Sequence, residues 1–388
     1  MEHGNCIGCQ ACVDACPFRA LSFHYDEWGE GKAAADETKC KKCGLCERIC
    51  PAEEISFNKP AQTVYAVISK KNRNTGSSGG VFFELASDFI EQGGVVYGAA
   101  FNSDLKLVHK KAQTVDELSE LCKSKYFHSD MTGIYSEIHE FLKANRSVMF
   151  VGTPCQVSAV KNLFSQKYGD MLFCVDFLCH GVGTQKIFNI CIKEEEKKGN
   201  GKITDFLFRA KARKAEHSFK YTLKCGEKSK EISGYSFEFP YYNAYLKYNI
   251  FCECCYDCKY ARADRVGDIT LGDFWRIQKI NKSLRDKDGV SAICVNTAVG
   301  QSHFDKIKSN CVVYEYPIEV AVDNNPSLKK CEGEAAYQSK HRLLKVLHEN
   351  GESVLYKELR CNDVNKELLY AKTPDIVKKV WNHVRGTK

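Results

Sequence analysis

Two copies of one cysteine spacing, both within the first fifty residues, limit this chain more than any other feature. Cys6, Cys9, Cys12 and Cys16 precede Pro17, and Cys40, Cys43, Cys46 and Cys50 precede Pro51. Each copy reads C-x2-C-x2-C-x3-C-P, the spacing of a loop that holds 4Fe–4S clusters. Three closely spaced thiolates wrap one loop around three irons of a cube. The fourth lies too far along the chain, so it reaches across to the other cube, and the proline turns the chain away. This assigns Cys6, Cys9, Cys12 and Cys50 to one cluster and Cys40, Cys43, Cys46 and Cys16 to the other. Zinc knuckles share the C-x2-C element, but they pair separated doublets and lack compact quartets with a trailing proline. A chain with this unit moves electrons one at a time.

The 388 residues suffice for two or three domains, and 44% hydrophobic content supports a sizeable core. The net charge is +7, yet the basic residues are scattered, and only Arg209-Ala210-Lys211-Ala212-Arg213-Lys214 forms a cluster. No recognition motif accompanies it, so nucleic acid is not an expected partner. Weak steering toward an anionic cofactor or an acidic electron-transfer partner fits better. The 22 cysteines do not read as a disulfide framework in a chain this long. No secretory leader and no apolar stretch of membrane-spanning length is expected. A reducing, oxygen-poor cytoplasm fits this usage, since exposed clusters degrade in air.

The two motifs lie 34 residues apart and predict a pseudo-two-fold unit over 1–60. Short strands are expected at Leu21–Tyr25 and Ile55–Phe57, with Trp28 of the charged linker packing on the second. From Val64 the texture becomes α/β. Apolar runs predict strands at Val64–Ile68, Val95–Phe101, Ser147–Gly152, Asp170–Phe177, Asp268–Trp275 and Ala292–Asn296. Thr204–Arg209 and Ser218–Cys225 read as a β-pair. Helices are expected over Val81–Gln92, Asp116–Cys122, Ile134–Ala144 and Gln185–Lys198. Amphipathic helices after about residue 326 would cover the core or join copies in a homo-oligomer.

Several core motifs carry chemistry. Ser77-Ser78-Gly79-Gly80 lies between a strand and a helix, where small residues and a helix N-terminus suit a nucleotide phosphate; a plain capped helix is the alternative. Gly152-Thr153-Pro154-Cys155-Gln156 and Cys179-His180-Gly181 end consecutive apolar strands, the positions that line a ligand crevice in open α/β sheets. With Cys255-Tyr256-Asp257-Cys258 they bring Cys155, Cys179, Cys255 and Cys258 into a four-thiolate set, for a third 4Fe–4S cluster or for zinc. Cys174, Cys191, Cys225, Cys294 and Cys311 read as inert small hydrophobes. Asp268 and Asp273 could orient a cofactor or cap a strand, His180 could move protons or be structural, and Lys125 could contact an anion or flavin.

In this order the motifs resemble the family of coenzyme F420 hydrogenase and dehydrogenase beta subunits. The resemblance rests on Ser77–Val81, Gly93–Ala99, Ser124-Lys125-Tyr126, Gly152–Gln156, Cys179-His180-Gly181, Cys255-x-x-Cys258 and Asp268–Trp275. It implies FAD, an α/β core and clusters relaying electrons to or from the flavin. One departure stands out: where the family often carries Arg-Asp-Lys followed by Gly-Trp, this chain has Arg209-Ala210-Lys211 without the Asp or the Gly-Trp. If those residues shape the substrate pocket, the substrate need not be the deazaflavin.

The expected architecture is an α+β ferredoxin-like dicluster domain (1–60), an α/β flavin-binding core (61–325) and a C-terminal helical segment (326–388). The expected function is an iron–sulfur flavoprotein oxidoreductase performing hydride chemistry on a deazaflavin or other small organic substrate. Ser77, Ser78, Gly79, Gly80, Lys125 and Thr153 are the expected FAD seat, and a ferredoxin or other redox protein the expected partner. No residue is assigned a catalytic role. The competing readings are a flavin-free electron-transfer component and an accessory protein of polysaccharide biosynthesis.

Overall fold

The computed structural model describes residues 6–212, 217–286, 288–331 and 333–373. In the first unit the short helices Ala11–Asp14 and Leu45–Arg48 lie inside the two cysteine motifs. Each starts after a residue in the left-handed region, Gln10 at φ 64° and Gly44 at φ 73°, so the sequence repeat is also a backbone repeat. β1 (Leu21–Tyr25) pairs antiparallel with β2 (Gly31–Ala35). Asp26 closes the hairpin by accepting hydrogen bonds from the backbone N–H groups of Trp28 (2.9 Å) and Glu30 (2.8 Å).

The expected strand at Ile55–Phe57 is absent, and the linker supplies the second strand instead. Phe57 is held elsewhere: its ring lies 5.9 Å from that of Tyr260, and the Arg262 guanidinium lies 4.4 Å from its centroid. Trp28 likewise turns away from that segment. It is 1% exposed and joins a core cluster with Phe127, Ile187 and Phe188, while its carbonyl accepts from Thr184 Oγ1 at 2.7 Å. The linker is therefore an anchor on the second unit.

The core follows with β3 (Thr63–Ser69), β4 (Val95–Phe101), β5 (Leu107–Ala112), β6 (Val148–Gly152) and β7 (Leu172–Phe177). Next come β8 (Lys202–Phe208), β9 (Ser218–Cys225), β10 (Lys228–Tyr235), β11 (Ile269–Asp273), β12 (Ser291–Val295) and β13 (Cys311–Pro317). β8–β10 form an antiparallel sheet. The others build one mixed sheet in the order β13-β3-β12-β11-β7-β6-β4-β5, whose centre, β4 to β11, is parallel. All five residues of β6 are buried, as expected of a parallel strand covered on both faces.

β5, β10 and β13 were not expected. β5 and β13 are half-exposed edge strands, and β10 is largely exposed, so none carries a continuous apolar run. The helix Pro154–Tyr168 was also unforeseen, although its start is written plainly: Thr153 caps, Pro154 opens, and Gln156 completes a capping box. The expected helix over Asp116–Cys122 shrinks to Leu118–Leu121.

Two buried charge contacts join elements. Arg265 and Asp176, 2% and 0% exposed, pair at 3.4 Å, and Arg265 also donates to the Phe177 carbonyl at 2.7 Å. This pins the segment after the last cysteines to the end of β7. Lys340, 1% exposed, pairs with Glu30 of the linker and with Glu253 (3.3 Å) of the cysteine-rich stretch. Lys340 belongs to Glu334–Asn350, followed by the helices Glu352–Leu359 and Val364–Lys372. Leu343, Leu347, Leu355 and Tyr356 are buried in the same cluster as Trp28, so the first two of these helices cover the core, while Val364–Lys372 buries no residue. The part of the expected helical segment at 374–388, and Arg213 and Lys214 of the basic run, lie outside the described residues.

Candidate functional site

Cysteines link the first unit to the centre of the core. Cys12 is pushed up to about 12 by burial and by the neighbouring charges of Cys6, Cys50 and Cys46. Cys9, Cys12 and Cys50 each interact with Cys6, and Cys12 also with Cys46, so the two motifs lie side by side. Cys46 interacts with Cys43. Backbone N–H groups donate to sulfur in both motifs, Ala20 to Cys16 at 3.3 Å and Lys42 to Cys40 at 3.4 Å.

Cys9 is also the bridge. It is buried and interacts electrostatically with Cys155 across the interface. Tyr135 donates its hydroxyl to the Cys9 carbonyl at 2.7 Å, and Tyr260 donates to the Pro51 carbonyl at 2.6 Å. These tyrosines share a core cluster with Cys9, Ala11 and Ile49, sealing the seam.

Beyond the seam, Cys155 interacts with Cys258 and Cys255, and Cys179 with Cys255 and Cys155. Burial, followed by these neighbours, pushes Cys155, Cys179 and Cys258 each up to about 12. Cys255 is raised well above the usual thiol range, first by its hydrogen bond with Cys254 and then by burial. Four neighbouring, half-buried thiols resist becoming thiolates without a cation among them; iron or zinc supplies that charge and deprotonates its ligands outright. Cys254 and Cys331 also adjoin the set: Cys254 interacts with Cys155 and Cys331 with Cys258, while Cys331 Sγ donates to the Tyr256 carbonyl at 2.9 Å. Among the described residues no three His, Cys, Asp or Glu side chains converge on one ion position.

Cys179 opens onto a cavity of about 520 Å³, in the range of small-molecule sites. The cavity lies at the C-terminal ends of the parallel strands, where Gly152 of β6, Phe177 of β7 and Asp273 of β11 line it. One wall is the loop Ser77, Ser78 and Gly80, tied to the next segment by Ser124, whose N–H and hydroxyl donate to Ser77 Oγ at 2.8 and 2.9 Å. Ser78 Oγ is buried without a hydrogen-bond partner among the described residues. Lys125 lines the same wall and donates Nζ to the carbonyls of Cys122 (2.6 Å) and Glu120 (3.1 Å); burial lowers it to about 8.

The opposite wall is aromatic. His180 stacks on Trp275 with ring centroids 4.9 Å apart, and burial lowers it to about 4, so the imidazole is neutral near pH 7. Arg209, 4% exposed, pairs with Asp273 at the rim. Lys123, Arg209 and Tyr248 all line the cavity with left-handed backbones, at φ 67°, 49° and 61°. Such conformations cost energy in non-glycine residues and cluster at functional sites.

Of the expected seat residues, Ser77, Ser78, Gly80, Lys125 and Thr153 line this cavity, and Gly79 does not. Gly79 faces the sheet: its N–H donates to Ser291 Oγ at 3.0 Å, and a Cβ there would sit 2.2 Å from the Val67 carbonyl oxygen. Asp268 is structural, because its carboxylate accepts from Cys174 N–H (2.8 Å) and Thr297 Oγ1 (3.0 Å) and meets Lys161 at 3.4 Å. Cys174, Cys191, Cys294 and Cys311 are buried, whereas Cys225 is exposed at the end of its strand and is no core filler. Asp273 and Arg209, both marked by the sequence, meet at this cavity, whereas Lys123 and Tyr248 carried no site expectation. Their backbone strain has no sequence signature.

A dicluster unit sealed onto a mixed α/β core, with a cysteine path ending at a strand-end cavity, defines an iron–sulfur protein of electron transfer. Residues 5–54 match the 4Fe-4S dicluster domain, and residues 145–320 match the C terminus of the coenzyme F420 hydrogenase/dehydrogenase beta subunit. Residues 145–320 are thus similar to the C-terminal part of those beta subunits, and a dicluster domain stands in front. It is 22% identical over 338 residues to the F subunit of the F(420)H(2) dehydrogenase of Methanosarcina mazei, covering 82% of this chain and 86% of that one. It is 44% identical over 55 residues to the archaeal-type glutamate synthase [NADPH] of Thermotoga maritima, 14% of this chain, and so spans only 10% of that relative's length. A chain from the F420-reducing [NiFe] hydrogenase complex of Methanosarcina barkeri aligns with TM-score 0.45 and 16% identity, covering 76% of this chain and 93% of that one. Among the described residues no helix is long and apolar enough to cross a membrane.

Proposed function

We propose that this protein is a flavin-dependent iron–sulfur oxidoreductase that relays single electrons between a redox protein and FAD for hydride chemistry on an organic substrate. One observation carries the reading: Cys9 of the dicluster unit neighbours Cys155, Cys155 neighbours Cys179, and Cys179 lies on the cavity wall. A relay that ended in solvent would need no such path.

The residues fit the groups. Cys155, Cys179, Cys255 and Cys258 offer four half-buried sulfurs for a third 4Fe–4S cluster. The unpartnered Ser78 Oγ and the glycine-permitted turn at Gly80 offer a phosphate seat at the start of helix Val81–Glu91. Bound FAD would supply the exchange between one-electron and two-electron transfer. The chain's own part is positional. Ser77 and Ser124 lock the loop, the His180–Trp275 stack walls one side, and the neutral His180 can accept or return a proton at the cavity edge. The deazaflavin of the relatives is a candidate substrate class, although Ala210 stands where the family often has Asp.

Reductive titration tests this. With three clusters and one FAD the protein takes up about five electrons per chain, one per cluster and two for the flavin. Uptake of about two electrons would leave only the dicluster unit active and favour a flavin-free carrier.

A further inference from the structure

The two dicluster motifs repeat in sequence but not in surroundings. Cys9 is buried, and the set Cys6, Cys9, Cys12 and Cys50 faces the seam sealed by Tyr135 and Tyr260. The loop of the other set faces outward, with Cys43 exposed and Lys41, Lys42 and Arg48 exposed around it. Arg48 Nη1 donates to the Cys43 carbonyl at 3.2 Å, which holds a guanidinium against this loop. Phe18, 43% exposed, and the exposed Arg19 follow Cys16, the fourth member of this set. Lys39 is paired with Asp36, and Glu37 and Glu47 are acids on the same segment.

We propose that this loop is the port for an external electron carrier, an acidic one-electron protein, and that the cluster of Cys6, Cys9, Cys12 and Cys50 is the inner relay. Deepening the reading above, it rests on the clusters but not on the flavin. A carrier must bring its redox centre close to one of the two clusters, and among the described residues of the two motifs the exposed cysteine, Cys43, lies on the Cys40–Cys46 side. The inner set is covered by Tyr135 on one flank and by Tyr260, through Pro51, on the other. At the open side an apolar residue, Phe18, lies among cations, as at interfaces where charge steers approach and an aromatic ring anchors it. The dicluster unit as a whole carries an excess of acids, so the cations of the Cys40–Cys43 loop mark a direction of approach and not a general attraction.

The test uses the anaerobically purified full chain and a small acidic ferredoxin, pre-reduced, as the probe. Bleaching of the clusters is followed by stopped flow at low and high salt. Reduction is expected to slow about tenfold at low salt in K41E/K42E, to lose its salt dependence, and to change less in K41Q/K42Q. Reduction by a small zwitterionic viologen radical should be unchanged in both variants, and iron content should match that of the unaltered chain. K228E/K230E on the exposed strand β10 should leave the ferredoxin rate unaffected. Equal rates in K41E/K42E and the unaltered chain, or equal slowing in K228E/K230E, would overturn the proposal. If the reversal variant loses iron, the glutamine pair decides alone, and an unchanged rate there overturns it too. The signal is read at the clusters, so a protein without flavin still tests the port while failing the titration above.

Discussion

Replacing Cys179 by alanine is expected to lower iron from about twelve to about eight atoms per chain. The eight that remain belong to the dicluster unit, whose thiols are supplied wholly by residues 6–50. Cys179 has no other structural task that would explain such a loss. It is held at the end of β7 beside Cys155 and Cys255, and its removal leaves one corner of a cube without sulfur. The second expected effect is kinetic. Bound flavin should no longer be reduced when electrons enter at the dicluster unit, while direct chemical reduction of the flavin persists. Cys174→Ala is the control, since Cys174 is buried on the preceding strand and belongs to the core cluster with Val148 and Leu172. It should cost on the order of 1 kcal/mol of stability and no iron. Full iron in Cys179→Ala would transfer the ligand role to Cys254 or Cys331, which adjoin the set.

Gly80→Val should abolish flavin retention while leaving all iron in place. Gly80 has φ 82°, a region closed to β-branched residues, and a Cβ there would lie 2.4 Å from the Asn72 carbonyl oxygen and 3.0 Å from Arg73 Cα. Both contacts are backbone, so no side chain can swing aside. Forcing the turn costs about 1–3 kcal/mol and displaces Ser77 and Ser78 from the cavity wall. We expect extractable FAD to fall at least about tenfold, the equivalent of about 1.4 kcal/mol in binding. Gly79→Val is the poorer experiment. Its Cβ would strike the β3 backbone at Val67, so lost flavin could not be separated from a damaged sheet. A Gly80→Val chain that retains its flavin would place the phosphates elsewhere.

Much of this arrangement was legible from residue spacing. The dicluster ligands follow from covalent geometry, because a fixed loop length around a cube permits few spacings. The buried strands β6 and β7 were legible because parallel strands covered on both faces read as unbroken apolar runs. The cavity's position followed from that, since Thr153 and Cys179 end those strands. What escaped was decided by long-range contacts. Trp28 reads as a linker aromatic until Thr184 and Phe188 are folded against it. Lys340 reads as one more solvated lysine on a polar helix face, yet it is buried between Glu30 and Glu253, partners some 310 and 87 residues distant. Gly79 and Gly80 look equivalent in sequence, but a Cβ on Gly79 would meet the sheet at Val67, whereas Gly80 turns at φ 82° against the Asn72–Arg73 backbone and lines the cavity. Strain at Lys123 and Arg209 leaves no trace in residue type.

The measurement that bears most directly on the whole reading is the content of protein purified without oxygen: iron, acid-labile sulfide, zinc and extractable flavin per chain. About twelve irons, matching sulfide, no zinc and one FAD are expected, as three 4Fe–4S clusters wired to one flavin require. About eight irons without flavin would contradict it, leaving a dicluster carrier docked on an empty core.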